Sequence, residues 1–182
     1  MLNGISLAVI LIFISFLTLF IITVLVNVFL VPVIGTSEKI LNEILEIMDL
    51  QKSDVFYDLG SGDGRMVLRA YEEAKCRCIG YDISPISILI SRTKRILKFP
   101  RTNDISFELE DIFSVNLSDS TKIYCYLNTE SMNILKKKLE KYIKDGGYVY
   151  SYIYKIQNMK CSGKYVLSNG DVLYVYTSKI KD

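Results

Sequence analysis

The 182-residue chain contains no histidine, and its four cysteines are poorly placed for a metal. Cys76 and Cys78 stand too close for the usual C-x2-C zinc pair, and without imidazole no mixed ligand set can be assembled. A structural metal is not expected. Nor is a disulfide framework, because Cys76 and Cys78 alternate along one strand-like stretch and Cys125 sits in another apolar run. Charge bias is also missing: 22 Lys+Arg against 20 Asp+Glu leave a net charge of +2, so the overall balance implies no nucleic-acid partner. Repeats and low-complexity tracts are absent, with one exception. Residues 1–37 carry no charged side chain at all, so every acid and every base lies beyond them.

That uncharged stretch implies a different solvent. Residues 5–34 are almost wholly Ile, Leu, Val and Phe, and a helix of that length exceeds the roughly 20 residues needed to cross a ~30 Å hydrocarbon core. One transmembrane helix is expected over residues 5–29, with residues 1–34 as a membrane anchor. A cleaved signal peptide fits less well, since no Lys or Arg precedes the run and its apolar core is too long. Lys39 and Lys52 follow the span and nothing basic precedes it, so the positive-inside rule predicts a single-pass membrane protein with its C-terminal part in the cytoplasm. Pro32 and Gly35 form the only linker, and the five residues 32–36 span at most about 17 Å.

Residues 35–182 read as one domain, large enough for a single core. Thr36 or Ser37 can cap a helix whose apolar positions Ile40, Leu41, Ile44, Leu45 and Met48 recur at helical spacing. Strands at 55–59, 76–82, 105–109, 122–127 and 148–154 then alternate with helices at 65–74, 85–97 and 130–143. This order predicts an α/β fold, a mostly parallel sheet covered on both faces. Asn169-Gly170 between 164–168 and 171–178 is a strong hairpin signal, so the sheet should close with an antiparallel pair.

Residues 55–67, Val-Phe-Tyr-Asp-Leu-Gly-Ser-Gly-Asp-Gly-Arg-Met-Val, join an apolar strand to a helix through a glycine loop. Such a loop lets a ligand approach the backbone and offers it the free N–H groups of a helix start. Asp58 and Asp63 bracket the loop, however, and two carboxylates would repel a pyrophosphate. The glycines at 60, 62 and 64 also depart from the dinucleotide spacing G-x-G-x-x-G. S-adenosylmethionine fits better, having no phosphate but a sulfonium and an ammonium. Ligands of open parallel sheets bind beyond the carboxyl ends of the strands, where Asp58, Asp82 and Asp111 fall. Asp82 can accept both ribose hydroxyls, Asp58 can attract the methionyl ammonium, and Asp111 can accept from the adenine amino group. Ile83 and Ile112 could sandwich the ring, while Leu59, Gly60, Ser61 and Gly62 form the cradle. Any one acid after a strand is ordinarily a cap or turn residue; three in register with a glycine loop point to a site.

Residues 55–67, then 80–85 (Gly-Tyr-Asp-Ile-Ser-Pro) and 110–113 (Glu-Asp-Ile-Phe), resemble the successive cofactor motifs of class I S-adenosylmethionine-dependent methyltransferases. The narrower form Asp-Leu-Gly-Ser-Gly-Asp-Gly-Arg, after Val31-Pro32 and an anchor helix, is similar to the membrane-anchored lysine methyltransferases related to those of the ATP synthase c subunit and the adenine nucleotide translocase. The resemblance implies a Rossmann-like sheet, methyl transfer from S-adenosylmethionine, and a protein lysine near the membrane as acceptor. It also places Tyr126-Leu-Asn128 where the family ends its fourth strand, making Tyr126 and Asn128 the candidates for an acceptor-facing role. Relatives often carry Pro where this chain has Asn128, and Glu where it has Asp82. Two rival readings stay open: a non-catalytic cofactor-binding scaffold, and a methyltransferase acting on a lipid or small molecule.

Overall fold

The structure, a computed structural model, describes the backbone of residues 4–30 and 36–179, and side chains over 8–22 and 36–179. The chain divides into two compact units, Met1–Gly35 and Thr36–Asp182. In the first, α1 (Gly4–Leu30) is a 27-residue helix with no acid in its first turn and no base in its last. Among the described residues no helix is long and apolar enough to cross a membrane. The transmembrane span expected over 5–29 is thus not shown, and part of it lies outside the described side chains. The linker expected at Pro32 and Gly35 lies wholly outside the described residues.

The second unit opens with α2 (Glu38–Met48), capped by Ser37, whose hydroxyl accepts from Ile40 N–H at 3.5 Å. Its five apolar positions are all buried, as their spacing requires. The chain then alternates: β1 (Val55–Leu59), α3 (Arg65–Ala74), β2 (Arg77–Asp82), α4 (Pro85–Lys98), β3 (Ile105–Leu109), β4 (Lys122–Cys125), α5 (Thr129–Lys144) and β5 (Tyr148–Tyr152), followed by β6 (Gly163–Val166) and β7 (Val172–Tyr176). The seven strands form one sheet in the order β3-β2-β1-β4-β5-β7-β6. The first five are parallel, and β7 inserts antiparallel between β5 and β6.

Successive residues of each central strand serve opposite cores. Phe56, Cys78, Phe107 and Tyr124 pack with the apolar faces of α2, α3 and α4. Tyr57, Leu59, Ile79 and Ile123 pack with Met132, Leu135 and Leu139 of α5. Apolar residues at both parities explain why these strands are continuous hydrophobic runs. Because the chain runs outward from β1 to β3 and then crosses to β4 on the other side of β1, the topological switch point lies between β1 and β4.

Four strands stop short of their expected ends, β6 at Val166 and β7 at Tyr176 each by two residues, and β4 and β5 for identifiable reasons. β4 ends at Cys125 rather than 127 because Asn128 already caps α5, its side chain accepting from Ser131 N–H at 2.9 Å. β5 ends at Tyr152 rather than 154 because Ile153 adopts φ +68° and Tyr154 N–H bonds Tyr152 C=O at 2.8 Å. That pair of features is a tight γ-turn, which a β-branched residue enters only under strain.

Candidate active site

Asp58 is the penultimate residue of β1, and its side chain is almost completely enclosed, 3 % exposed. Among the described residues it has neither a cation nor a hydrogen-bond donor. Burial, with Asp82 and Asp63 adding like charge, pushes its carboxyl up to about 8. An acid held in that condition is suited to a ligand that brings positive charge.

The loop beyond it folds back onto β2. Gly60 N–H and Ser61 N–H both donate to Tyr81 C=O at 2.9 Å. Gly60, Gly62 and Gly64 all take positive φ, at +83°, +53° and +78°, which is why glycine recurs at every second position. Their surroundings differ. A Cβ on Gly62 would meet nothing within 4 Å, so its backbone borders open space. A Cβ on Gly60 would strike Leu127, and one on Gly64 would strike Phe107 and Ser91. Ser61 is buried, and its hydroxyl has no partner among the described residues. Leu59 is fully buried toward α5, leaving only its backbone for a ligand.

Asp82, the last residue of β2, is held by two backbone donors, Gly62 N–H and Ser84 N–H, each at 2.8 Å. A carboxylate has about four acceptor positions, so capacity for hydroxyl donors remains. The same contact ties the glycine loop to the tip of the next strand. Ile83 beside it is 71 % exposed. Asp111 is exposed and accepts from Phe113 N–H at 3.0 Å, an Asx turn that leaves its second oxygen uncommitted. Ile112 is half-buried against the α5-side core.

Asp63 behaves otherwise than its sequence position suggested. It pairs with Arg65 at 2.9 Å and Lys94 at 2.6 Å. Burial works against its ionisation, but the hydrogen bonds from Arg65 and Lys94 prevail and hold the carboxyl down at about 2. Its charge is cancelled by the protein, so Asp63 does not repel a phosphate, and Asp58, raised to about 8, does so only once it ionises.

Leu127, in contact with Gly60, brings the segment after β4 against the loop. Tyr126 there lies 4.9 Å from the Tyr152 ring and stacks on Tyr154 at 6.4 Å. Tyr152 donates to Asp171 at 2.5 Å, and Asn169 bridges both residues from the β6–β7 turn. Tyr148 and Tyr150 instead sit at the start of β5: Tyr150 donates to Met48 C=O, and Lys179 lies over the Tyr148 ring. The structure separates these five tyrosines three and two. Asp171 was not among the residues the sequence pointed to, although the Asn169-Gly170 turn signal adjoined it.

An enclosed unpaired acid, an unpartnered buried hydroxyl and open space at Gly62 suit a phosphate-free ligand with hydroxyls and a positive charge, as S-adenosylmethionine is. Comparison with known proteins agrees. A protein-lysine N-methyltransferase of Saccharolobus islandicus is 33 % identical over 128 residues, covering 70 % of this chain and 79 % of that one. The adenine nucleotide translocase lysine N-methyltransferase of Mus musculus is 26 % identical over 121 residues, 66 % of this chain and 52 % of its own. The chain thus spans about half the length of that mouse relative. Among solved structures, an RNA methyltransferase from Salinibacter ruber in complex with S-adenosyl-L-homocysteine superposes with a TM-score of 0.72 at 27 % identity, covering 81 % of this chain and 97 % of that one. The family described as the ANTKMT methyltransferase domain matches residues 58–163, a span that opens on Asp58 itself, and the chain belongs to that family of S-adenosylmethionine-dependent methyltransferases.

Proposed function

We propose that the protein methylates the side-chain amine of a lysine in a protein held at or in a membrane, with α1 as its own anchor and the methyltransferase domain facing the cytoplasm. The observation that carries the lysine reading is the Tyr126–Tyr152–Tyr154 cluster, joined to the cofactor loop through the contact of Leu127 with Gly60. Bound S-adenosylmethionine supplies an electrophilic methyl group on a sulfonium. In this reading Asp58 faces the cationic end of that molecule, Asp82 accepts from its ribose, and Asp111 with Ile83 and Ile112 receives its adenine.

A lysine ammonium has no lone pair and must shed a proton before it can attack. Aromatic walls attract the cation on approach and, by excluding water, lower its pKa. Burial raises Tyr126 above its ordinary value and pushes Tyr152 up to about 12. Both hydroxyls stay protonated at neutral pH, so these residues act by orientation and desolvation rather than as bases. Asn128 commits its side-chain oxygen to the α5 cap, which leaves the amide nitrogen as the part that could meet an acceptor. The anchor is supported by 27 residues of helix without a charge, and the orientation by Lys39 and Lys52.

Membranes incubated with the purified chain and radiolabelled S-adenosylmethionine test the reading. Label in protein, resolved by mass spectrometry to lysine, is the expected result. Label confined to lipid or RNA would reject the lysine acceptor and keep the cofactor, whereas cofactor binding with no label anywhere would favour the scaffold.

A further inference from the structure

The second unit has an apolar face that packing within the domain leaves uncovered. Only Ile88 and Ser91 of α4 are buried. On the opposite side Ile86, Leu89, Ile96 and Leu97 are 57 %, 67 %, 57 % and 79 % exposed. Their spacing of i, i+3, i+10 and i+11 sets them on one stripe of a helix. Thr93 occupies the gap at i+7, and its hydroxyl is satisfied by Leu89 C=O at 2.8 Å, so it adds little polarity to the stripe. Scattered exposed apolar residues are ordinary, but four large ones in a single stripe need a cover.

Charge indicates which cover. Between Asp82 and Asp104 the chain carries Arg92, Lys94, Arg95, Lys98 and Arg101 and no acid. At 100° per residue, Arg92 falls on one flank of the stripe and Lys94 and Lys98 on the other. The nearby acids are oversubscribed: Asp63 serves both Lys94 and Arg65, and Glu72 serves both Lys98 and Arg69. Arg92 leans on Glu108 at 3.7 Å. Beside the helix, a groove of about 540 Å³ is lined by Leu97 and by four cations, Arg65, Arg69, Lys94 and Lys98, against two acids, Glu38 and Asp63. Thr36, where the second unit begins, lines the same groove. The second unit therefore begins beside this apolar and basic surface.

We infer that α4 lies in the interface of an anionic lipid bilayer, with Ile86, Leu89, Ile96 and Leu97 entering the headgroup boundary and the flanking cations meeting lipid phosphates. An apolar stripe bordered by Lys and Arg is the pattern of helices that rest in a membrane surface rather than cross it. This rests on the anchor reading above but makes a separate claim: the catalytic domain has a bilayer-facing side of its own. A partner protein would also cover an apolar stripe, but the absence of any acid from α4 itself, the excess of cations over acids beside it and the entry of the chain at Thr36 favour lipid.

The absence of tryptophan from the chain makes the test direct. Leu89→Trp and Ile96→Trp each introduce a single indole at an exposed position, and Lys137→Trp on the outward side of α5 provides the control. Each full-length variant is placed in nanodiscs of phosphatidylglycerol and phosphatidylcholine with brominated acyl chains. The expected result is blue-shifted emission from the two α4 indoles and loss of that emission to bromine roughly 5–10 Å below the headgroup boundary. The control keeps its emission, and the quenching weakens as phosphatidylglycerol is withdrawn or salt is raised. Discs that take up the protein but quench the α4 indoles no more than the control would overturn the inference. So would blue-shifted, unquenched emission with two chains per disc, which identifies a second copy as the cover. A chain that never enters discs sinks the anchor reading instead, and the same variants added to phosphatidylglycerol vesicles then decide the α4 claim alone.

Discussion

Asp58 and Asp82 lie on neighbouring strands, and the charge of Asp82 helps to raise Asp58, yet they ask opposite things of a ligand. Asp82 is already fixed by Gly62 N–H and Ser84 N–H. Asp82→Ala therefore removes a hydroxyl acceptor and frees two loop donors; calorimetry should show cofactor binding weakened by about 1.5–3 kcal/mol, with a lowered melting temperature for the free protein. Asp58 is the unpaired member, with its carboxyl raised to about 8 by burial and by the like charges of Asp82 and Asp63. An acid whose folded pKa is raised contributes most stability below its unfolded value, near 3.9, and that contribution is lost as pH climbs through the folded one. The cofactor-free protein should accordingly lose stability between about pH 4 and pH 8. A bound cation favours the ionised carboxyl, so S-adenosylmethionine should bind more tightly as pH rises toward 8, releasing a proton below it. Titrations in buffers of different ionisation enthalpy detect that proton. Asp58→Asn should abolish both the release and the pH dependence, and an unchanged profile would refute the assignment.

The loop between β1 and α3 uses its glycines for two separate ends, and single methyl groups can tell them apart. Gly64→Ala places a Cβ 2.6 Å from the Phe107 ring at φ +78°, so it should destabilise the fold by several kcal/mol. Gly62→Ala meets open space at φ +53° and should cost only about 1–2 kcal/mol of stability, while losing most cofactor affinity because the methyl group takes up ligand room. Denaturant unfolding set beside calorimetry separates the two. At this scale the sequence was informative wherever the signal was local. The strand-loop-helix around Gly60, the Ser37 cap, both edges of β3 and the turn at Asn169-Gly170 all follow from neighbouring residues. Distant partners were illegible: Asp63 is neutralised by Lys94, 31 residues away, and Gly60 is kept small by Leu127 as well as by its φ. The γ-turn at Ile153 was hidden for another reason. A β-branched residue in an apolar run reads as strand, and nothing nearby announces that it takes positive φ to set Tyr154 beside Tyr126.

At the scale of the molecule, the second unit accounts for the whole of the candidate site. Its sheet, both of its cores, the glycine loop and the tyrosine cluster lie within Thr36–Asp182. A chain beginning at Thr36 should therefore fold, keep the Ser37 cap of α2 and bind S-adenosylmethionine with unchanged affinity. Its surface would still carry Ile86, Leu89, Ile96 and Leu97, so binding to anionic vesicles is expected even without residues 1–35. The consequence should fall on the acceptor. A tether raises the local concentration of enzyme at the bilayer to an extent set by linker length, and residues 32–36 extend no more than about 17 Å. Loss of α1 should thus reduce methylation of a membrane-embedded protein by one to several orders of magnitude, while a soluble lysine peptide carrying the same target sequence is methylated at an unchanged rate. Measuring full-length and shortened chains on both acceptors separates tethering from damage to the site. Equal rates on the embedded acceptor would remove the anchor from the mechanism, and equal losses on both acceptors would show that residues 1–35 contribute to the active site itself.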